Sequence, residues 1–195
     1  MPKNDPALQR NFFNALAEDW RNDAPVPVNR VAELCKPISL YHGARVLDVA
    51  CGTGVLDEYL LQCGCKVVGL DISPLMIERA KQDPSHAGAC YYAEDFHEHK
   101  GKYDLLLVFD AYPHFCDKTA FARAARELLS PTGKLWIFFD QSRAQIDAHH
   151  LNVPQGVSVS LLSPEEEAAR VSDYFSLGYH LDGDWYYLEL IPKKL

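Results

Sequence analysis

Asp48, Gly52, Gly54 and Asp71 are the residues whose types and spacing most directly describe a chemistry. They lie in Arg45-Val46-Leu47-Asp48-Val49-Ala50-Cys51-Gly52-Thr53-Gly54-Val55-Leu56, followed by Val67-Val68-Gly69-Leu70-Asp71. An apolar strand-like run breaks into a glycine turn, a helix-like segment follows, and a second apolar run ends on a carboxylate. That order describes the nucleotide-binding half of a doubly wound fold. Asp71 follows Gly52 by 19 residues, close to the ~20 needed for a carboxylate leaving the second strand to reach ribose hydroxyls over the first turn. The glycine spacing selects among nucleotides. A dinucleotide fingerprint places its third small residue three steps on, where this chain has Val55. Asp48 would repel a pyrophosphate but not a ligand with an ammonium group and no phosphate.

The elements needed to position these residues alternate helix and strand. Leu8–Asp23 reads as an amphipathic helix with Phe12, Phe13, Leu16 and Trp20 as its apolar stripe, ended by Pro25 and Pro27. Helices are expected at Val28–Cys35, Val55–Gln62, Pro74–Gln82 (Ser73 as N-cap), Lys118–Leu129 and Arg143–His150. Strands are expected at Ala89–Ala93, Tyr103–Phe109 and Lys134–Phe139, with Ser130-Pro131-Thr132-Gly133 as the turn before the last. Val157–Leu161 reads as a short strand or extended loop. A capping box at Ser163-Pro164-Glu165-Glu166 opens a helix to about Leu177, and Tyr179–Asp182 with Trp185–Ile191 forms a hairpin about Gly183. The fold class is therefore α/β: a doubly wound, Rossmann-like sheet of mostly parallel strands, with a C-terminal antiparallel hairpin and an N-terminal helical lid.

Four motifs in order extend this reading. The glycine turn resembles motif I of the class I S-adenosylmethionine-dependent methyltransferases. Asp71-Ile72-Ser73-Pro74 with Met76 is similar to the family's second motif, Ala93-Glu94-Asp95-Phe96 to its third, and Tyr103-Asp104 to Phe109 to its fourth. Leu128 to Leu135 resembles the approach to the fifth strand, and Asn11 to Trp20 the lid helix of the small-molecule enzymes grouped with ubiquinone and menaquinone methyltransferases. The resemblance implies S-adenosyl-L-methionine as cofactor and S-adenosyl-L-homocysteine as product. It assigns the turn Ala50-Cys51-Gly52-Thr53-Gly54 and Asp71, Ile72, Met76 and Phe109 to the cofactor, and puts Asp48 near its methionine end. Asp95 would accept from the adenine amino group, with Phe96 or Ile72 on the ring face. Ala50 stands where the family has its first glycine, and Cys51 where many members have a small or charged residue.

Methyl transfer from a sulfonium needs little machinery beyond in-line positioning and exclusion of water. Asp110-Ala111-Tyr112-Pro113-His114-Phe115 follows the fourth strand, at the sheet end where ligands of this fold bind. Tyr112 and His114 are the candidates to orient or deprotonate an acceptor. After the fifth strand, Arg143 is a candidate to pair with an anionic substrate and His150 a second candidate base. Phe13 and Trp20 of the lid complete the expected substrate wall. No metal site is expected: His149 and His150 are adjacent and have no acidic ligand at helical spacing. His97 and His99 alternate with acids and read as part of an exposed loop.

Composition narrows the partners. A chain of 195 residues, 48% hydrophobic, can bury a full core, and one methyltransferase domain is expected over 1–195, with 1–40 as helical extension and lid and 41–195 as the Rossmann-like core. A net charge of −8 disfavours nucleic acid. No Asn-Pro-Pro-aromatic tetrad, the mark of amino-methylating nucleic-acid and protein enzymes, follows the fourth strand. The N-terminal segment lacks the apolar run of a signal peptide or membrane anchor, so a cytoplasmic monomer or homodimer acting on a small molecule is expected. Six cysteines without metal-ligand spacing read mostly as core residues in a reducing compartment. The competing readings are a protein or nucleic-acid methyltransferase, and a sensor that binds the cofactor without turnover.

Overall fold

A computed structural model describes residues 5–20, 26–151 and 153–194. Among the described residues seven strands form one sheet, β1 (Arg45–Val49), β2 (Lys66–Asp71), β3 (Cys90–Ala93), β4 (Tyr103–Phe109), β5 (Leu129–Phe139), β6 (Phe175–Asp182) and β7 (Tyr186–Pro192). Their order across the sheet is β3-β2-β1-β4-β5-β7-β6. β1 to β5 run parallel, while β7 enters antiparallel beside β5 and carries β6 on its outer edge. The chain winds outward from β1 to β3, then crosses back to β4. Neighbouring β1 and β4 thus mark the switch point at whose carboxyl end a ligand crevice opens.

Period-two alternation builds a core on each side of the sheet. Leu47 and Val49 of β1, Leu106 and Val108 of β4, and Ile137 of β5 face one core with Phe121, Ala122 and Ala125 of helix α5 (Lys118–Leu128). Val46, Leu105, Leu107 and Phe138 face the other, with Val31 and Leu34 of α2 (Val28–Leu34) and Leu60 of α3 (Asp57–Gln62). The remaining helices are α1 (Pro6–Leu16), α4 (Pro74–Gln82), α6 (Arg143–His150) and α7 (Pro164–Arg170).

Three boundaries differ from the sequence reading for physical reasons. The first helix ends at Leu16, where the Arg79 guanidinium of α4 donates to the carbonyls of Ala17, Glu18 and Trp20 and holds the chain in a turn. Asp23 and Pro25, the expected end, lie outside the described residues. Its apolar stripe is also redrawn: Leu16 is exposed, whereas Gln9 and Ala17 are buried. Second, Ser130-Pro131-Thr132-Gly133 belongs to β5, which absorbs the extra residues as a register shift opposite Tyr103 and Leu105. A Cβ at Gly133 would lie 2.8 Å from the Tyr103 carbonyl, so the two backbones meet closely there. Third, α7 stops at Arg170 because Phe175–Asp182 pairs with β7, a long-range ladder that overrides local helix propensity. Val157–Leu161 takes the loop alternative of its reading, with one isolated bridge beside it, Gln155 to Ser158.

Of the cysteines, Cys35, Cys51, Cys65 and Cys116 are buried, Cys63 is intermediate and Cys90 exposed, all with free thiols. Among the described residues no helix is long and apolar enough to cross a membrane.

Candidate active site

A cleft of about 960 Å³, counted out to its mouth, opens above the carboxyl ends of β1, β2 and β4. The glycine turn makes its floor. Gly52 (φ +55°) and Gly54 (φ +85°) adopt left-handed backbone, but their missing side chains serve different neighbours. A Cβ at Gly52 would meet only the Trp20 indole nitrogen, at 3.6 Å, so bare backbone faces the cleft. A Cβ at Gly54 would fall 2.7 Å from both Asp57 Oδ2 and the His86 ring. Gly54 is therefore required by packing beneath the turn, and neither it nor Thr53 lines the cleft, contrary to expectation. Ala50, at φ +56°, holds the same left-handed conformation without a glycine's freedom.

Asp71 ends β2 with both carboxylate oxygens engaged by local backbone. Oδ2 accepts from the Gly52 N–H at 2.9 Å and Oδ1 from the Ser73 N–H at 2.8 Å, which leaves each oxygen a further lone pair. Burial pushes its pKa up to about 6, against the opposing pull of the N–H groups of Ser73, Gly52 and Ile72. Ile72, Met76, Phe96 and Phe109 contribute apolar wall. Asp95 Oδ1 accepts from the backbone N–H and the Nδ1 of His97, at 2.9 and 2.8 Å, and the His97 hydrogen bond pulls its pKa down. His97 thus joins the cleft wall, and His99, bonded to Glu94 (2.5 Å) and Tyr103 (2.7 Å), is buried. The expectation of an exposed histidine loop is corrected.

The opposite wall gathers residues distant in sequence. Gln9 and Phe13 of α1, Trp20, Ala111, His114 and Phe115 line it. Gln9 Nε2 donates to the His114 carbonyl, and His114 Nδ1 lies 3.1 Å from the Val157 carbonyl. A carbonyl only accepts, so Nδ1 bears the proton and Nε2 a lone pair. Burial depresses the His114 pKa to about 4, with the Val157 contact opposing. The Phe13 and His114 rings meet edge-on at 4.9 Å. Asn14 and Arg10 tie α1 down through Ser73 Oγ (2.7 Å) and the Ile72 carbonyl (3.3 Å).

Three further expected site residues, besides Thr53 and Gly54, lie elsewhere. Tyr112 is fully buried in the core beneath the cleft, its ring 3.5 Å from Lys118 Nζ and its hydroxyl 3.5 Å from Glu167, so it reaches no acceptor. Arg143 is drawn to the sheet edge by Asp182 (2.8 Å). His150 Nδ1 donates to the Ile146 carbonyl (2.7 Å), and its ring packs against that of His114 at 5.1 Å without lining the cleft. Sequence reasoning missed Gln9, Val55, Leu56, Leu70, Glu94, His97, Asp110, Ala111 and Phe115 of the lining. Gln9 carried a usable signal, a polar residue on the cleft-facing side of a helix. Asp110 carried none, since its left-handed φ of +52° appears only in the folded chain.

Among the described residues the cleft is lined by Asp48, Asp71, Glu94, Asp95 and Asp110 and by no lysine or arginine. No group of three or more His, Cys, Asp or Glu side chains there is placed to hold a metal ion.

Residues 46–133 match the family described as "Methyltransferase domain", and the doubly wound sheet with its cleft at the switch point agrees with that match. The chain is 32% identical over 158 residues to the ubiquinone biosynthesis O-methyltransferase of Xanthomonas euvesicatoria, covering 70% of this chain and 65% of that protein. It therefore spans just under two thirds of that relative's length. Over 175 residues it is 27% identical to the protein of the same name from Hydrogenovibrio crunogenus (84% of this chain, 72% of that one). In structure it is similar to the magnesium protoporphyrin IX methyltransferase of Synechocystis, solved with bound S-adenosylhomocysteine, at a TM-score of 0.71 and 22% identity, covering 97% and 100% of the two chains. The N-methyltransferase NodS of Bradyrhizobium japonicum, also with S-adenosylhomocysteine, gives a TM-score of 0.71 at 16% identity, covering 95% and 99%.

Proposed function

We propose that this protein transfers a methyl group from S-adenosylmethionine to a small aromatic acceptor that is uncharged or cationic. The observation that carries the reading is the cleft itself, in which a bare glycine turn and the Asp71 carboxylate stand opposite an aromatic wall without lysine or arginine. The donor set suits the cofactor. Asp71 retains lone pairs for vicinal ribose hydroxyls, Asp95 has a second oxygen for an exocyclic amine, and Ile72 and Phe96 offer apolar faces to a flat ring. The cofactor brings a methyl group already activated on a sulfonium sulfur. The protein's work is then to place the acceptor in line and keep water out.

Phe13, Trp20 and Phe115 supply the apolar contact, and α1 acts as a lid fastened through Gln9, Arg10 and Asn14. His114 works as a neutral imidazole whose Nε2 lone pair orients the acceptor's hydroxyl or amine; with its pKa near 4 it is a weak base. The placement of Arg143 at the sheet edge argues against an anionic acceptor paired with it, and the acidic lining would repel one. The names of the relatives, O- and N-methyltransferases, support a small-molecule acceptor. The acidic chain supports the absence of a nucleic-acid partner. We further propose that residues 1–195 act as one domain, as a cytoplasmic monomer or homodimer.

The test is calorimetric binding of S-adenosylmethionine and S-adenosylhomocysteine, followed by incubation of the protein with isotopically labelled cofactor and a fractionated metabolite extract, read by mass spectrometry. Binding of both ligands and label in an aromatic product is expected. Binding without any labelled product would establish a sensor instead, and absence of binding would overturn the reading.

A further inference from the structure

Beneath the glycine turn two carboxyl side chains meet inside the protein. Asp48 projects from β1 at 2% exposure, and Asp57, in the first turn of α3, is fully buried. The two carboxyl groups are neighbours in the interior, each acting on the other's ionisation. Asp57 Oδ2 accepts from the Tyr91 hydroxyl at 2.6 Å, while Asp57 Oδ1, also buried, has no hydrogen-bond donor among the described residues. Two neighbouring carboxylates in a dry environment cannot both be ionised at modest cost, and the pair binds a proton between them. Gly54 makes room for this arrangement, since any side chain there would displace the Asp57 carboxylate.

We propose that Asp57 is a positioning residue that keeps Asp48 as a proton-bearing acid in the cleft floor, and that the pair releases its proton when the cationic methyl donor binds. This rests on the reading of the cleft as a methyl-donor site. Asp48 lines the cleft, whereas Asp57 does not and acts only through it.

The surroundings favour the proton on Asp48. Burial pushes its pKa well above the ordinary carboxylate range, and Asp57 and Asp71 push it further. Burial raises Asp57 too, but the Tyr91 hydroxyl donates to it at 2.6 Å, a hydrogen bond that favours the ionised form and makes Asp57 the acceptor of the pair. The other titratable groups facing the pair are Asp71 at the end of β2, Cys51 in the turn, Cys35 after α2, Tyr91 on β3 and His86 after α4. None is a lysine or arginine.

The balance is simple. A sulfonium cation enters, the Asp48 O–H bond breaks, its proton passes to solvent, and the carboxylate left behind neutralises the added charge. S-adenosylhomocysteine carries one positive charge fewer and gives no such reason to release the proton. The pair thereby separates donor from spent product through charge rather than shape.

Calorimetric titrations at pH 7.5 in phosphate and in Tris, which differ in ionisation enthalpy, count the protons exchanged on binding. For the wild type, S-adenosylmethionine should release about one proton and S-adenosylhomocysteine far less. Affinity for S-adenosylmethionine should climb with pH, by up to about tenfold per unit, while that for the product stays flat above pH 7. Asp57→Asn gives Asp48 an amide donor, so Asp48 is already ionised; its proton release should vanish and its pH slope flatten. In the free protein, the infrared carbonyl band of a buried carboxylic acid should be present in the wild type and absent in Asp57→Asn.

Should Asp57→Asn not fold, Tyr91→Phe removes the donor to Asp57 and should shift proton release to higher pH. Equal proton release with both ligands, or release unchanged in the variant, would overturn the proposal, as would absence of the infrared band. If the band is present but neither ligand binds, the donor reading fails and the coupling to binding fails with it, while the shared proton stands.

Discussion

The two walls of the cleft are built in opposite ways. The β1–β2 wall is local: Gly52 and Ser73 both donate to Asp71 within one strand-helix-strand unit, and Asp95 is fixed by a residue two positions on. The facing wall is assembled from afar. Gln9 reaches the His114 carbonyl across 105 residues, and His114 reaches Val157 across 43. A locally closed wall is preorganised by short-range geometry, whereas a wall of long-range contacts inherits the stability of every element that carries it. The proposed cofactor and acceptor functions should therefore separate under mutation.

The sharpest break is at Gly54. Gly54→Ala places a Cβ against Asp57 and His86 in left-handed backbone and should destabilise the fold by about 3–4 kcal/mol, from strain and a displaced buried carboxylate. Gly52→Ala, with open space around it, should cost about 1 kcal/mol. Chemical denaturation of both variants checks the order, and equal losses would show that the two glycines serve the same purpose after all. Asp71→Ala should weaken S-adenosylmethionine and S-adenosylhomocysteine alike by one to two decades, roughly 1.5–3 kcal/mol, because both carry the same ribose. Calorimetry on the folded variant reads this directly.

Gln9→Ala tests the other wall. It should lower turnover by about tenfold, near 1.4 kcal/mol, while cofactor affinity changes by less than about twofold. A large loss of cofactor affinity would mean that the walls are not independent. Ala50→Gly should stabilise the protein by about 0.5–1 kcal/mol by relieving left-handed backbone at the position where the resembled family has glycine, measurable as a shift in denaturation midpoint.

The smallest expected effect is in the pH profile of turnover. An ordinary imidazole would produce a limb near ~6.5. With the His114 pKa depressed to about 4, the rate should change by less than about twofold from His114 between pH 6 and 8. The same depression has a stability consequence of definite sign. Between pH 4 and about 6.5 the unfolded chain binds a proton at His114 that the folded chain refuses, so stability rises with pH through that window. His114→Phe should flatten this slope in acid denaturation.

Strand periods, Ser73 before Pro74, and the 19-residue step from Gly52 to Asp71 were legible in the sequence because each is a short-range constraint on backbone shape or reach. The proposed cofactor half of the site rests on them. What only the tertiary structure decided were matters of competition between distant groups: that Asp182 draws Arg143 from the cleft, that Tyr112 turns into the core, and that β7 claims residues expected to continue α7. Gly54 shows the division within one residue. Its type announced a left-handed turn, but whether the space it frees belongs to a ligand or to the Asp57 carboxylate depends on how α3 and His86 pack beneath it, and no local pattern encodes that.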